Sequence, residues 1–304
     1  MVRSRLVLLG NNWGESEVME QRRLFSPAPL AITGSTIFEG DALRVLRRIP
    51  DGSAQSVVTS PPYWGLRDYG FSGQIGLEET LPRFISRLTE IFTEVKRVLR
   101  DDGTLWLNIG DGYTSGNRGW RAPDKKNGAR AMSVRPNTPN GLKPKDLLGI
   151  PWRLAFALQE DGWYLRSDIV WHKPNAMPES VKDRPTRSHE YLFLFSKQEK
   201  YRYDREAVLE VNGRNLRSVW SVNTQPFPGA HFATFPAKLI EPCILASTRP
   251  DDYVLDPFFG SGTVGLVCQE FGRKFIGIEL HPEYVQMAAY RLNGGEREVI
   301  KVAA

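Results

Sequence analysis

"YVLDPFFGSGTVG", residues 253–265, passes from an apolar, strand-like run into Asp256, then a glycine-rich turn, then the apolar start of a helix. A strand handed to a helix through such a turn is the unit of an open α/β sheet. The glycines let backbone approach a ligand closely, and the helix N-terminus favours anionic groups. The following run, "KFIGIE" (274–279), ends on Glu279, where an acidic side chain can accept both hydroxyls of a ribose. No lysine follows Gly262, as a phosphate loop would need, and the spacing departs from G-x-G-x-x-G, which disfavours ATP and NAD. A ligand with a ribose, an adenine and an amino-acid tail in place of phosphates fits better, and S-adenosylmethionine is such a ligand.

Outward from this turn, the hydrophobic period switches repeatedly between strand and helix. Strand-like runs occur at 35–38, 56–59, 104–109, 164–171, 190–195, 253–256 and 274–279, which predicts one seven-stranded, mostly parallel sheet. Phe84, Leu88, Ile91, Phe92, Val95, Val98 and Leu99 form one helical stripe, with Gly103 expected to close the turn beyond it. Pro151 and Pro282 suit the first positions of two further helices, and Gly294 suits the end of the last. The link "HKPNAMPESVKDRPTRS" (172–188) holds three prolines and no helical stripe, so one antiparallel strand is expected at a sheet edge. Pro242 interrupts the apolar pattern of 239–245, where a helix should kink or restart.

The hydrophobic fraction of 41% and charged fraction of 25% in 304 residues describe an ordinary packed core and exclude wholesale disorder. The net charge is +5, yet residues 112–149 alone hold eight bases and two acids, the footprint of a polyanion partner or of a solvated loop. That segment and residues 197–230, with the isolated aromatics Tyr201, Tyr203 and Trp220, read as insertions on one face of the sheet. Cys243 and Cys268 are too few for a disulfide framework, and the four scattered histidines argue against a metal site. The N-terminal apolar stretch is too short for a signal segment, so a cytoplasmic protein without membrane partners is expected.

A second stretch, "TSPPYWGLRDYG" (59–70), sets two prolines between Ser60 and Tyr63 after the apolar pair Val57 and Val58. With "GDALRVLRRIPDGS" (40–53), "HFATFPAKLIEPCI" (231–244), "DPFFGSGTVG" (256–265) and "FIGIEL" (275–280), in that order, the chain resembles the amino-methyltransferases that modify DNA bases, in the class whose catalytic motif precedes the cofactor motif. The resemblance spans nearly all of 35–290 and implies a single methyltransferase domain over 31–295, with an S-adenosylmethionine-dependent, Rossmann-like fold. The basic loop 112–149 would meet DNA phosphates, and 197–230 would be the target-recognition region, with Arg202, Arg205, Arg214 and Arg217 as candidates for guanine edges or phosphates. Trp120 could wedge into DNA or sit in a small satellite core.

The family implies catalytic roles for Ser60, Pro61, Pro62 and Tyr63. An exocyclic base amine is a poor nucleophile, because its lone pair is delocalised into the ring. The Ser60 hydroxyl and Pro61 carbonyl can draw its protons away, the prolines hold that carbonyl in place, and Tyr63 offers a face for a flipped base. For the cofactor, the resemblance places Asp256, Phe258, Gly260, Ser261, Gly262 and Thr263 around the methionine end, Glu279 on the ribose, Asp41 on the adenine amine and Lys238 on the carboxylate. Asp41 at a strand end equally fits a helix cap. Ser60, where many relatives carry Asp or Asn, resembles the cytosine-N4 subgroup; adenine-N6 methylation is the alternative, and RNA or protein amide methylation or a catalytically dead DNA-binding module are further ones. Double-stranded DNA is the expected partner, a cognate restriction endonuclease acting on the same site is compatible with it, and monomer and homodimer both remain open.

Overall fold

The computed structural model describes residues 28–68, 70, 71, 73–114, 138–225, 235–293 and 299–301. All seven expected strands form: β1 (Thr36–Glu39), β2 (Ala54–Thr59), β3 (Leu99–Ile109), β4 (Tyr164–His172), β5 (His189–Ser196), β7 (Tyr253–Asp256) and β8 (Lys274–Glu279). Two three-residue strands, β6 (Val219–Ser221) and β9 (Val299–Lys301), extend the edges, giving nine strands among the described residues in the order β6-β4-β5-β3-β2-β7-β8-β1-β9. The sheet is therefore larger than the seven strands expected. The single antiparallel strand is present as expected, but β5 lies inside the sheet, antiparallel to β3 and β4 on either side. The proline-rich link reverses the chain without a crossover, and β4 then offers its outer edge to β6.

Side chains alternate across the sheet with the period of the pleat. Val57 packs beneath α1 (Ala42–Leu46), α2 (Leu81–Val98) and α3 (Ile150–Glu160), while its neighbour Val58 faces α4 (Ala237–Ser247), α5 (Thr263–Glu270) and α6 (Pro282–Asn293). Both central strands β2 and β7 are thus covered on two faces, which is why they read as unbroken apolar runs. α2 follows its predicted stripe and is capped by Thr80, whose side chain accepts from Arg83 N. It ends without Gly103: Leu99 is already extended and donates to Val95 O, and the chain enters β3 directly. Gly103 serves a close approach instead, since a Cβ there would lie 2.8 Å from Arg100 O and 3.1 Å from Gln55 O.

α4 runs through Pro242 without restarting. The proline removes one amide, the partner of the Lys238 carbonyl in the helix's first turn, where the side chain is exposed and water can serve. Gly294 and residues 1–27 lie outside the described residues. Among the described residues no helix is long and apolar enough to cross a membrane.

β2 and β7 are parallel neighbours at the point where the chain's direction of winding reverses: β3 lies on the outer side of β2, and β8 on the outer side of β7. Ligand crevices of open α/β sheets form at the carboxyl ends of strands at such a point. Phe259 helps to set the crevice wall there, with its ring stacked on Phe275 at 5.3 Å and lying over Gly277 of β8. A Cβ at Gly277 would come within 2.5–2.7 Å of three Phe259 ring atoms. Gly277→Ala is expected to lower stability by about 1–3 kcal/mol in denaturant unfolding, with part of the loss recovered by adding Phe259→Leu.

Candidate active site

β2 delivers Thr59 to the end of the sheet, and Ser60, Pro61, Pro62 and Tyr63 turn away from it. The turn is closed from outside by Gly76, whose carbonyl accepts from Gly65 N at 2.8 Å. Gly76 sits at φ +98, and a Cβ there would lie 2.9 Å from the Tyr63 carbonyl oxygen, so the approach needs glycine on both counts. Glu78 fastens this return: its carboxylate accepts from Gly76 N at 2.8 Å and pairs with Arg87 of α2, while its carbonyl accepts from the Trp64 indole at 2.8 Å.

β7 delivers Asp256 beside Thr59. The Thr59 hydroxyl donates to Asp256 Oδ1 at 2.6 Å, and Phe258 N donates to the same oxygen at 3.0 Å. The turn then docks on β8: Phe259 N donates to Ile278 O at 2.9 Å and Gly260 N to Glu279 Oε2 at 2.8 Å. Gly262, at φ +80, begins α5 with no side-chain cap and packs against Ala288 and Leu292. Arg291 of α6 reaches back and donates to Ser261 O, Ser261 Oγ and Thr263 Oγ1, each at 3.1 Å.

One cavity of about 180 Å³ unites the two halves. Its lining includes Ser60, Pro61, Pro62 and Tyr63 from the corner, Asp256, Phe258, Gly260, Ser261 and Thr263 from the turn, and Asp41 and Glu279 from the neighbouring strand ends. Asp41 caps α1, accepting from Arg44 N at 3.1 Å, and also borders the cavity. Two expected residues are not in the lining. Gly262 shapes the turn from behind, and Lys238 is an exposed residue of α4, so the structure does not bring its ammonium to the cavity wall.

The sequence reading missed Thr59, Arg291 and an aromatic wall formed by Phe71, His281 and Tyr284. The His281 ring is stacked on Tyr284 at 4.2 Å and meets Phe71 edge-on at 4.7 Å. Tyr284 carried a signal, since it stands with Val285, Ala288, Ala289 and Leu292 on one apolar stripe of α6, but the stripe alone assigns it to the core.

Burial pushes the Asp256 carboxyl up to about 7, with the nearby Glu279 charge adding to the rise and the bonds from Thr59 and Phe258 N opposing it. Burial likewise raises Glu279, against the bonds it accepts from His281 N at 2.8 Å and Gly260 N. Among the described residues, the lining thus holds the carboxylates of Asp41, Asp256 and Glu279, with Arg67 as its one arginine and no lysine. This set suits a cationic ligand carrying hydroxyls and is ill matched to a polyphosphate.

The basic loop begins at the same end of the sheet. Asp111, just past β3, accepts from Gly112 N, Gly149 N and Ile150 N at 2.8–3.1 Å, which pins both ends of the loop and caps α3. Residues 115–137, with Trp120 and Arg118, lie outside the described residues. The 197–230 segment divides. Arg202 N donates to Asp102 O, and Asp204 N to Ala246 O, so this part packs at the opposite end of the sheet, with Arg202 largely buried there. Arg205 pairs with Glu206, and Arg217 with Glu210. The chain returns toward the cavity end only along β6, after which Thr224 N donates to Asn175 Oδ1 at 2.8 Å.

The fold and cavity define an α/β protein with a candidate ligand site at the sheet's switch point. The DNA methylase family matches residues 54–290, and the chain belongs to that family, the DNA amino-methyltransferases. Its relatives include the type II methyltransferase M.XycI of Xanthomonas campestris pv. cyanopsidis, 73% identical over 93% of this chain and 95% of that protein. M.Cfr9I of Citrobacter freundii is 69% identical over 95% of this chain and 98% of its own length. Among solved structures, the PvuII DNA methyltransferase, described as cytosine-N4-specific, superposes with a TM-score of 0.65 at 25% identity, covering 88% of this chain and 89% of that one. A proposed DNA modification methylase of Thermus thermophilus, solved with S-adenosyl-L-methionine, gives a TM-score of 0.62 at 25% identity over 88% of this chain and all of its own, 100%.

The raised Asp256 carboxyl has a consequence for stability. Its ordinary value is 3.8 and its folded value about 7, so the folded state holds the proton more tightly. The stability it contributes is complete below the ordinary value and is lost as pH rises through about 7. Asp256→Asn keeps an acceptor for Thr59 and Phe258 but cannot titrate. Between about pH 5 and about pH 8 the wild type is expected to lose on the order of 2 kcal/mol relative to this variant, measured by denaturant unfolding of the ligand-free protein.

Proposed function

We propose that this protein transfers a methyl group from S-adenosylmethionine to the exocyclic N4 amine of a cytosine within a specific double-stranded DNA sequence, as the modification half of a restriction-modification system. The observation that carries the reading is the single cavity in which the Ser60–Tyr63 corner and the Asp256–Thr263 turn meet, tied by the Thr59–Asp256 bond. The assignment to N4 is supported by serine at the head of the corner and by the likeness to the PvuII enzyme.

When bound, S-adenosylmethionine supplies an electrophilic methyl on a sulfonium sulfur, which takes back the carbon–sulfur electron pair as the nitrogen–carbon bond forms. The chain's residues do the rest by position. Glu279 would accept the ribose hydroxyls, Asp41 would accept from the adenine amine, and Phe258, Gly260, Ser261 and Thr263 would border the methionine end. Asp256 places a carboxylate near the cationic sulfur and amine. A target cytosine, flipped from the duplex, lies on Tyr63, with its amine hydrogens directed to Ser60 Oγ and the Pro61 carbonyl. These acceptors draw the lone pair out of conjugation toward the methyl carbon, and the methylated nitrogen then releases one proton to water. Neither cysteine takes part: Cys243 and Cys268 are buried, and burial raises both thiols.

Residues 31–295 act as one methyltransferase domain. The basic loop 112–149, rooted at the cavity end, meets phosphates there. Within 197–230, the described residues 222–225 after β6 lie at the cavity end, the side on which this reading puts the DNA.

The test is incubation with methyl-tritiated S-adenosylmethionine and mixed-sequence duplex DNA, followed by nucleoside digestion and mass spectrometry. The expected product is N4-methylcytosine; label on N6-methyladenine would retain the mechanism and overturn the base assignment. Ser60→Ala is expected to lower the rate of transfer by about 100-fold while cofactor binding, followed by calorimetry, stays within about twofold.

A further inference from the structure

Tyr63 follows β2, whereas Glu190 belongs to β5, and in the order β5-β3-β2 the end of β3 stands between them. The first residue past β3 is Gly110. A Cβ there would lie 2.7 Å from Tyr63 Cε2 and 3.2 Å from both Cδ and Oε1 of Glu190, so the two side chains meet across the space that glycine leaves. The Tyr63 hydroxyl donates to Glu190 Oε2 at 2.7 Å. Glu190 Oε1 is in turn paired with Lys173 Nζ, and both side chains are largely buried. Lys173 is seated over the Trp171 ring, 4.1 Å from its centre, and its backbone N donates to Ser188 O at 2.7 Å, closing the base of the β4–β5 link.

A stacking face is useful to an incoming base only if the ring is already in place, and a tyrosine ring has two torsions to fix. The corner fixes the backbone alone: Pro61 and Pro62 stiffen the chain ahead of Tyr63, and the Tyr63 carbonyl accepts from Leu66 N at 3.3 Å. The hydroxyl oxygen lies on the axis of the Cβ–Cγ bond, so its bond to Glu190 fixes the torsion about Cα–Cβ and leaves the ring free to turn about that axis. Gly110, close against the Cε2 edge, limits the second torsion. A phenylalanine ring would offer the same face without the first restraint.

We propose that Glu190 and Lys173 are positioning residues that act through the Tyr63 hydroxyl, across the opening left by Gly110, to fix the plane on which the flipped base is received. The inference rests on the methyl-transfer reading above and assigns the hydroxyl of Tyr63 a use that stacking alone does not have. It also gives β5 a part in the site, two strands away from the corner it braces.

Tyr63→Phe keeps the ring and removes only the tether. In the DNA methylation assay its kcat is expected to fall about tenfold, with KM for S-adenosylmethionine within about twofold of wild type. Glu190→Ala is expected to lower kcat by a similar factor, and the double variant to stay within about twofold of Tyr63→Phe, because no bond is left for the second change to break. The ring itself is read by placing 2-aminopurine at the target position of the duplex: stacked on Tyr63 it has a short fluorescence lifetime, and extruded without stacking a long one. In both single variants the long-lived component is expected to grow about threefold, a change that a role of Glu190 in folding alone would not produce. Wild-type kcat and lifetimes in Tyr63→Phe, or losses that multiply in the double variant, would overturn the inference while leaving the methyltransferase reading intact. A wild-type protein that labels no DNA would overturn that reading, and this inference with it.

Discussion

The site depends on one bond between residues 197 positions apart: the Thr59 hydroxyl donating 2.6 Å to the buried carboxylate of Asp256. It joins the last residues of β2 and β7, the two strands at which the winding of the sheet reverses, and so fixes the Ser60–Tyr63 corner against the glycine-rich turn. A carboxylate with almost no contact with water is costly unless its oxygens are bonded, and here one oxygen takes both the Thr59 hydroxyl and Phe258 N. The same bond that compensates the buried charge also sets the distance between the two half-sites. Corner and turn each hold their own shape through local means, Gly76 and Glu78 for one, Gly262 and Arg291 for the other.

Chemistry of this kind demands position more than reactive groups. A displacement at a methyl carbon needs the nucleophile, the carbon and the departing sulfur in line, and the largest gain a protein can make is to hold that geometry before reaction. The cavity's construction fits that demand. Its walls are strand ends and proline-stiffened backbone, and Asp41, Tyr63, Asp256, Ser261, Thr263 and Glu279 are held by bonds to backbone or to neighbouring side chains. The two described ends of the basic segment are held by Asp111 at the same end of the sheet as the cavity.

Most of this fold was legible in the sequence because both faces of the central sheet are covered. Runs such as "YVLD" and "KFIGIE" are apolar without interruption and end on the residues that matter, Asp256 and Glu279. The two edge strands were not legible, since Val219–Ser221 and Val299–Lys301 are three residues long and face partly into solvent. The interior place of β5 could not be read from a reversing link, which gives direction but not neighbours. Among site residues, the motifs carried those that line the cavity. They did not carry those that hold them: Glu190 lies 127 positions from Tyr63, and Arg291 lies 30 from Ser261, in a helix whose pattern reports only its apolar face. Lys238 shows the reverse failure, a charge placed by motif that the structure leaves exposed, outside the cavity lining.

The central claim is that the two half-sites form one reaction chamber. It is tested most directly by a crystal structure of the protein with S-adenosylhomocysteine and a DNA duplex containing the methylated target. The account predicts the ribose hydroxyls on Glu279, the flipped cytosine on Tyr63, and the N4 nitrogen within hydrogen-bond reach of Ser60 Oγ and the Pro61 carbonyl, about 3 Å from each. A cofactor seated away from the Asp256 turn, or a target base that remains stacked in the duplex, would contradict it.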